Sequence, residues 1–298
     1  MRANARIALL SIATLAGPSG CFGCADTPTQ AAERPSEGRQ ALTVEHRPAL
    51  AERIAAAGYV GVFVLLDPAS ESLIISDPAL AERGFIPAST FKIINSLIAL
   101  ETGVATSPEF ALAWDGEERG FDWDRDHDLR SAFRVSAVWY YQELARRIGE
   151  PRMAQWVAAA DYGNRDISGG VDMFWLNGGL RISPREQVEF LRRVHEGHSP
   201  FSAPTVQVFL DEVMIDERRE GVTIRAKTGW ARTQDFADPA AVGFEGHAGW
   251  YVGSVEQSDG SRVYFATLLL APEPAPETFR EDRRELTGVL LRALGQLE

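Results

Sequence analysis

Strand-like sequence lies at both ends of this chain and helix-like sequence fills the middle, which narrows the folds open to it. Near the start, residues 59–66 and 73–76 are apolar runs flanking Asp67-Pro68-Ala69-Ser70, a hairpin signature. Near the end, residues 222–227, 249–255 and 262–271 read as three more strands, the last two joined across Ser258-Asp259-Gly260. Between them a helix is expected from Ser89 to a stop at Gly103, with an apolar stripe through Ile93, Leu97 and Ile98. Further helices are expected over 136–148, 151–160 and 203–216, and another opens on the capping box Ser183-Pro184-Arg185-Glu186. A short helix over 48–57 precedes the first strand and an amphipathic helix from about 277 closes the chain. This order implies an α/β (α+β sandwich) fold. One mostly antiparallel sheet is built from both chain ends and flanked by helices, with a helical lobe inserted beside it and a cleft at the seam.

At 298 residues and 45% hydrophobic, the chain can build one large core. A net charge of -12 argues against nucleic acid as a partner, because phosphates are bound by a basic face. Arg2 and Arg6 precede an apolar run over 7–16 and then Gly17-Pro18-Ser19-Gly20-Cys21. That pattern predicts an export signal over 1–24; the run is about half the ~20 residues that span a bilayer. Residues 25–47 are polar and read as a tether, and 48–298 as the folded domain. Cys21 and Cys24 form a lone C-x-x-C with no second pair, which gives metal or redox chemistry little support. Two processing outcomes are open. One is lipidation at Cys21, although Pro18 stands where a large aliphatic residue is usual; the other is cleavage near Cys24 or Ala25. Either way the expected protein is cysteine-free beyond the leader, exported to the periplasm, and at a membrane only if lipidated. Its oligomeric state is not written in the sequence.

The chain has only two lysines, while the other 28 of its 30 basic residues are arginines. Arginine stays protonated, whereas burial can drive a lysine amine neutral. Lys92 ends Ser89-Thr90-Phe91-Lys92, three residues after a serine on a predicted helix, so amine and hydroxyl share a face. Phe91, Ile93 and Ile94 suggest an apolar pocket in which the amine loses its charge and can take the serine proton. Lys227 opens Lys227-Thr228-Gly229 at the end of a predicted strand, where the glycine permits close backbone approach and Lys and Thr offer a cation and a hydroxyl to a carboxylate. Alone, each motif is an ordinary turn or strand end.

Together, S-x-x-K and K-T-G form the signature set of serine β-lactamases and penicillin-binding proteins. The set's S-D-N element is replaced by Ser136-Ala137-Val138. With Pro87-Ala88-Ser89-Thr90-Phe91-Lys92, Tyr162-Gly163-Asn164 and Phe174-Trp175-Leu176, the chain resembles the class D β-lactamases, the oxacillinases, from about residue 58 to the C-terminus.

The resemblance implies hydrolysis of small-molecule β-lactams through an acyl-enzyme on Ser89, with no metal or other cofactor. Carbon dioxide or bicarbonate enters only as a carbamate on Lys92, which serves as general base. Phe91, Val138 and Leu176 are implied to keep that pocket dry, and Trp175 to donate its indole N–H to the carbamate. Ser136 is implied to relay a proton to the lactam nitrogen. The backbone N–H groups of Ser89 and Trp230 would form the oxyanion hole. Lys227, Thr228 and Arg283 would hold the substrate carboxylate, Gly229 completing that strand. Arg283 is preferred to Arg280 and Arg284 because it lies three residues before the apolar pattern Leu286, Leu290, Leu291. Tyr162-Gly163-Asn164 has a largely structural role. Two other uses of the same acylation compete: a peptidoglycan transpeptidase or carboxypeptidase, and a β-lactam sensor that acylates without turnover.

The chain departs from the family in a long loop over 231–248, carrying Asp235, Asp238 and Glu245, and in Ser254, where an aromatic residue is usual. Two sites are rejected. Asp122, Asp124, Asp126 and Asp128 alternate like a calcium loop, but the sixth position is His127 and the twelfth Phe133. His195 and His198 lack an H-E-x-x-H motif and are expected at the surface.

Overall fold

The computed structural model describes residues 42–219, 221–239 and 242–298; the leader and the tether as far as residue 41 lie outside them. Among the described residues, seven strands form one sheet in the order β1-β3-β2-β7-β6-β5-β4. They are β1 (Thr43–His46), β2 (Val60–Asp67), β3 (Ser72–Ile75), β4 (Ile215–Arg219), β5 (Val222–Arg232), β6 (His247–Gln257) and β7 (Arg262–Ala271). Every neighbour pairs antiparallel except β1, which runs parallel to β3. The N-terminal and C-terminal strands meet at β2 and β7, where Val60 pairs with Leu270 and Leu66 with Tyr264.

The helices are α1 (Pro48–Ala56), α2 (Pro78–Glu82), α3 (Lys92–Glu101), α4 (Leu129–Val135), α5 (Val138–Ile148), α6 (Glu150–Ala159), α7 (Pro184–His195), α8 (Ala203–Val208) and α9 (Phe279–Ala293). Alternation along the strands splits the core in two. Val62, Val64, Trp250, Val252 and Ala266 face the inserted helices, against Leu97, Tyr141 and Leu191. Phe63, Leu65, Tyr251, Phe265 and Leu269 face the other way, against Leu50 and Ile54 of α1 and Phe279 and Leu290 of α9. The antiparallel sheet from both chain ends is therefore present, with helices on both faces. No helix of the described residues is long and apolar enough to cross a membrane.

Four expectations need correction. Residues Thr43–His46, read as the end of the tether, are an edge strand, and Thr43 N–H also donates to Glu71 O at 2.8 Å. Backbone pairing with β3 supplies order that this polar segment does not advertise. The single helix expected over 203–216 is α8, a π turn (Phe209–Val213), and then the start of β4. Ser136 does not open a helix: it caps the end of α4 with left-handed backbone (φ 65°), and α5 starts from Ala137. The helix expected from Ser89 begins as a 3-10 turn (Ala88–Phe91), and α-helical geometry starts at Lys92.

Candidate active site

The Ser89 turn sits in the seam between sheet and helical lobe. Trp250 Nε1 donates to Ile86 O at 2.9 Å, and Thr90 Oγ1 donates to Pro87 O at 2.8 Å while accepting from Gln187 Nε2 of α7 at 3.0 Å. Ala88 has φ 48°, a left-handed conformation that costs a non-glycine residue about 1–3 kcal/mol and directs the chain into the turn. In a 3-10 turn side chains three apart eclipse. Lys92 Nζ accordingly lies 2.8 Å from Ser89 Oγ.

Lys92 is fully buried. Desolvation alone lowers its pKa to about 7, because the charged ammonium has lost water and no carboxylate compensates. Its amine lies 5.3 Å from the centre of the Tyr141 ring. Phe91, the residue before it, stacks on Trp175 at 5.0 Å between ring centres and packs edge-on against Phe174 and Tyr162. Trp175 Nε1 is buried with no hydrogen-bond partner among the described residues. Such a donor forfeits about 1–3 kcal/mol unless something accepts from it. Val138, at the start of α5, and Leu176 are both half-buried.

The segment carrying Trp175 is stitched in place by the Tyr162-Gly163-Asn164 turn. Asn164 donates through Nδ2 to Gly179 O at 2.9 Å and accepts at Oδ1 from Arg181 N at 2.9 Å. A side chain at Gly163 would strike Arg181 O.

Lys227 lies against α4, the helix that Ser136 caps. The Ser136 hydroxyl is buried without a partner among the described residues, on strained backbone. Lys227 Nζ donates to Thr228 O at 3.1 Å and lies 5.6 Å from the centre of the Phe133 ring of α4. Burial, and next the charge of Lys92, hold its pKa well below the usual amine value. The two lysines of the chain thus share one electrostatic environment.

Gly229 makes a close approach possible, though to the protein's own backbone. A Cβ there would stand 2.8 Å from Pro87 O and 3.3 Å from Thr90 N, so β5 lies directly against the Ser89 turn. On the opposite face of β5, Arg283 of α9 is buried (4% exposed) and donates through Nη1 to Gly229 O at 2.6 Å. Its Nε and Nη2 donate to Arg280 O at 3.2 and 3.0 Å. Burial, then the charges of Arg284 and Arg280, lower its pKa to about 10, which leaves it charged at neutral pH. Arg280 is exposed, and Arg284 pairs with Asp216 of β4. Of the three candidate arginines, Arg283 is the one held against β5, at Gly229 and Trp230. Gly249, paired with Trp230, makes room for it: a Cβ at Gly249 would stand 2.6 Å from Arg283 Cδ.

One neighbour of this site escaped the sequence reading. His247 at the start of β6 is buried and accepts at Nδ1 from Trp230 Nε1 at 2.9 Å. It is separated from the K-T-G motif by the long loop, and only the pairing of Arg232 with His247 brings it alongside Trp230. That pairing also shortens the loop to 233–246. Phe236, Val242 and Phe244 of the loop are buried against the main core, and Arg181 lies 5.9 Å from the centre of the Phe236 ring. Ser254 is fully buried, its hydroxyl unpartnered among the described residues.

The rejected motifs have structural roles. The Asp124 carboxylate accepts from the backbone N–H groups of Arg119, Gly120 and Phe121, and Asp128 caps α4. His198 is exposed as expected, but His195 is only half-exposed. Its ring packs edge-on against Tyr264 at 5.2 Å, both nitrogens are buried without hydrogen-bond partners among the described residues, and burial holds its pKa well below the imidazole norm. The end of α7 turns it toward β7, which a spacing of three residues does not reveal.

Comparison with known proteins agrees with this geometry. Residues 61–282 match the penicillin-binding protein transpeptidase domain. β-Lactamase OXA-48 of Klebsiella pneumoniae is 42% identical over 209 residues, covering 70% of this chain and 74% of the relative. β-Lactamase OXA-10 of Pseudomonas aeruginosa is 40% identical over 206 residues, covering 69% and 74%. The crystal structure of a class D β-lactamase from Nostoc superposes with a TM-score of 0.75 at 39% identity, covering 83% of this chain and 99% of that one. A likeness of this extent, together with a serine and a buried amine in bonding contact, has one reading: the chain belongs to the class D serine β-lactamases.

Proposed function

We propose that this enzyme opens the lactam amide of β-lactam antibiotics with Ser89 as nucleophile and Lys92, in carboxylated form, as general base. The observation that carries the proposal is the 2.8 Å contact between Ser89 Oγ and an amine whose pKa burial lowers to about 7. In acylation the Ser89 proton passes to the Lys92 side chain as Oγ bonds to the lactam carbonyl carbon. The backbone N–H groups of Ser89 and Trp230 would meet the oxygen that becomes negative. The C–N bond then breaks, and the Ser136 hydroxyl, without a partner among the described residues, would hand its proton to the departing nitrogen and take the proton held by Lys92 in its place. Lys227, Thr228 and Arg283 would face the substrate carboxylate. Water attack on the ester, with the Lys92 side chain taking the water's proton and passing it to the departing Ser89 Oγ, would free the serine.

The pocket suits a carboxylated lysine. Only an unprotonated amine adds carbon dioxide, and desolvation supplies one. The unpartnered Trp175 N–H is a donor waiting for an anionic acceptor. Carbon dioxide bound there supplies carboxylate oxygens that are stronger proton acceptors within a dry pocket than water would be. Phe91, Val138 and Leu176 exclude solvent around it.

Steady-state hydrolysis of a chromogenic cephalosporin, with and without added bicarbonate, tests the reading. Turnover that falls when bicarbonate is removed supports it; labelling of Ser89 with no turnover would instead favour a sensor or transpeptidase. Export to the periplasm, with or without lipid at Cys21, belongs to the same proposal and rests on the leader pattern. Cell fractionation and the mass of the mature protein test it.

A further inference from the structure

Trp230 is 38% exposed, yet three contacts fix it. Its indole N–H donates to His247 Nδ1, its face lies 5.4 Å from the Arg283 guanidinium carbon, and Phe279 meets it edge-on at 5.4 Å. Phe279 also packs against the His247 ring at 6.0 Å, so the imidazole is braced from the side of α9.

The indole N–H can only donate, so His247 Nδ1 must carry a lone pair, and the imidazole proton of the neutral ring sits on Nε2. This tautomer follows from the hydrogen-bond pattern. His247 Nε2 lies 2.7 Å from a Glu273 carboxylate oxygen, the separation of an ion pair, although the ring N–H is not aligned on that oxygen as in a hydrogen bond. Glu273 stands on the segment between β7 and α9. A carboxylate on that side favours the proton on Nε2 and leaves Nδ1 free to accept.

We infer that His247, set in its tautomer by Glu273, is a positioning residue that holds the Trp230 ring over Arg283 and thereby tunes recognition of the substrate carboxylate. Arg283 makes three hydrogen bonds to backbone carbonyls, which leaves one N–H on each terminal nitrogen for a ligand. The ring above it narrows the directions those N–H groups can take and keeps water from one face of the cation, with a cation–π attraction holding the two together. A Trp230 ring free to swing away would leave Arg283 charged and present but less confined. The expected signature is weaker binding of carboxylate-bearing substrates with the chemical step little changed.

The inference rests on the proposed β-lactamase activity, and a penicillin and its methyl ester separate the two. His247→Phe keeps the ring volume and the contact with Phe279 but removes the acceptor. KM for the free acid should rise about tenfold, the loss of one such contact, with kcat within about twofold. KM for the methyl ester, which has no carboxylate to lose, should stay at the wild-type value. His247→Asn places an oxygen near the former Nδ1 and should recover most of the acid's KM. Glu273→Ala, which withdraws the carboxylate from Nε2 and leaves His247 and Trp230 in place, should show the same split in smaller measure even if His247→Phe folds poorly. Equal loss on acid and ester, a wild-type KM for the acid in both variants, or no recovery in His247→Asn overturns the inference. Wild-type protein that hydrolyses neither compound overturns the proposed activity instead.

Discussion

Ser89 and Lys92 meet because the chain between them is wound as a 3-10 turn, bringing Oγ and Nζ to 2.8 Å at the threshold of α3. In a continuous α-helix, residues three apart diverge around the axis; the tighter turn lines them up. The hydroxyl stays half-exposed toward the cleft while the amine is sealed. Nucleophile and base therefore differ in solvation although they touch.

That sealed amine makes stability depend on pH. Lys92 titrates near 10.5 unfolded and about 7 folded, so between those values the unfolded chain binds the extra proton and stability rises with pH. Below about 7 the full penalty for the buried amine is present, on the order of 5 kcal/mol at most. Lys92→Met should raise Tm most at pH 7 and below, and the gain should shrink steadily toward pH 10. Activity of the variant should fall about a hundredfold to ten-thousandfold, the usual worth of a general base. A pH-independent difference in Tm, measured by thermal unfolding across that range, would mean the amine is already solvated.

Trp175 offers an indole N–H with nowhere to donate among the described residues. Trp175→Phe preserves an aromatic ring against Phe91 and deletes only the donor. Deacylation should slow about tenfold or more, while acylation changes little, so the acyl-enzyme should accumulate in the mass spectrum of protein quenched during turnover. No accumulation, with deacylation at the wild-type rate, would remove Trp175 from the base pocket.

Gly229 marks the contact between β5 and the Ser89 turn. Gly229→Ala should push the two apart, because Pro87 O and Thr90 N are backbone atoms and cannot swing aside. A loss of about 1–3 kcal/mol in stability is expected, as for other overpacked sites, with a larger proportional loss in kcat/KM. Unfolding in urea and steady-state kinetics on the same preparation check both. Full activity would show that the turn tolerates displacement.

Arg283→Ala removes the cation that lies against Gly229 and Trp230. KM for a penicillin should rise about tenfold to a hundredfold, as for loss of a charge-assisted hydrogen bond worth about 1.5–3 kcal/mol, with less effect on kcat. Arg280→Ala, at an exposed neighbour, should leave KM unchanged. Equal effects from the two variants would place carboxylate recognition elsewhere.

Much of this arrangement was legible in the residues, for reasons that differ by element. The sheet from both ends followed from apolar periodicity, and the Ser183 capping box from its side-chain chemistry. β1 and β4 were hidden because they are polar edge strands whose order comes from pairing, as in Thr43 with Ser72 and Arg218 with Thr223. Ser136 was misread as a helix start because a hydroxyl before an apolar run is the usual cap signal, whereas here it terminates α4. His247 carried no local signal at all. Its meaning depends on a strand pairing across a long loop, and no motif around it announces that partner.

The pairing of β2 with β7 also orders events in time. The serine turn follows β2 and β3 early in the chain, but β5 and α9, which carry Lys227, Gly229 and Arg283, come last, and β7 ties the two halves of the sheet together. A chain emerging from its N-terminus holds the reactive serine long before it holds the groove that would receive an antibiotic. Contacts this distant in sequence close slowly, so the nascent polypeptide is chemically silent until its final segment is in place.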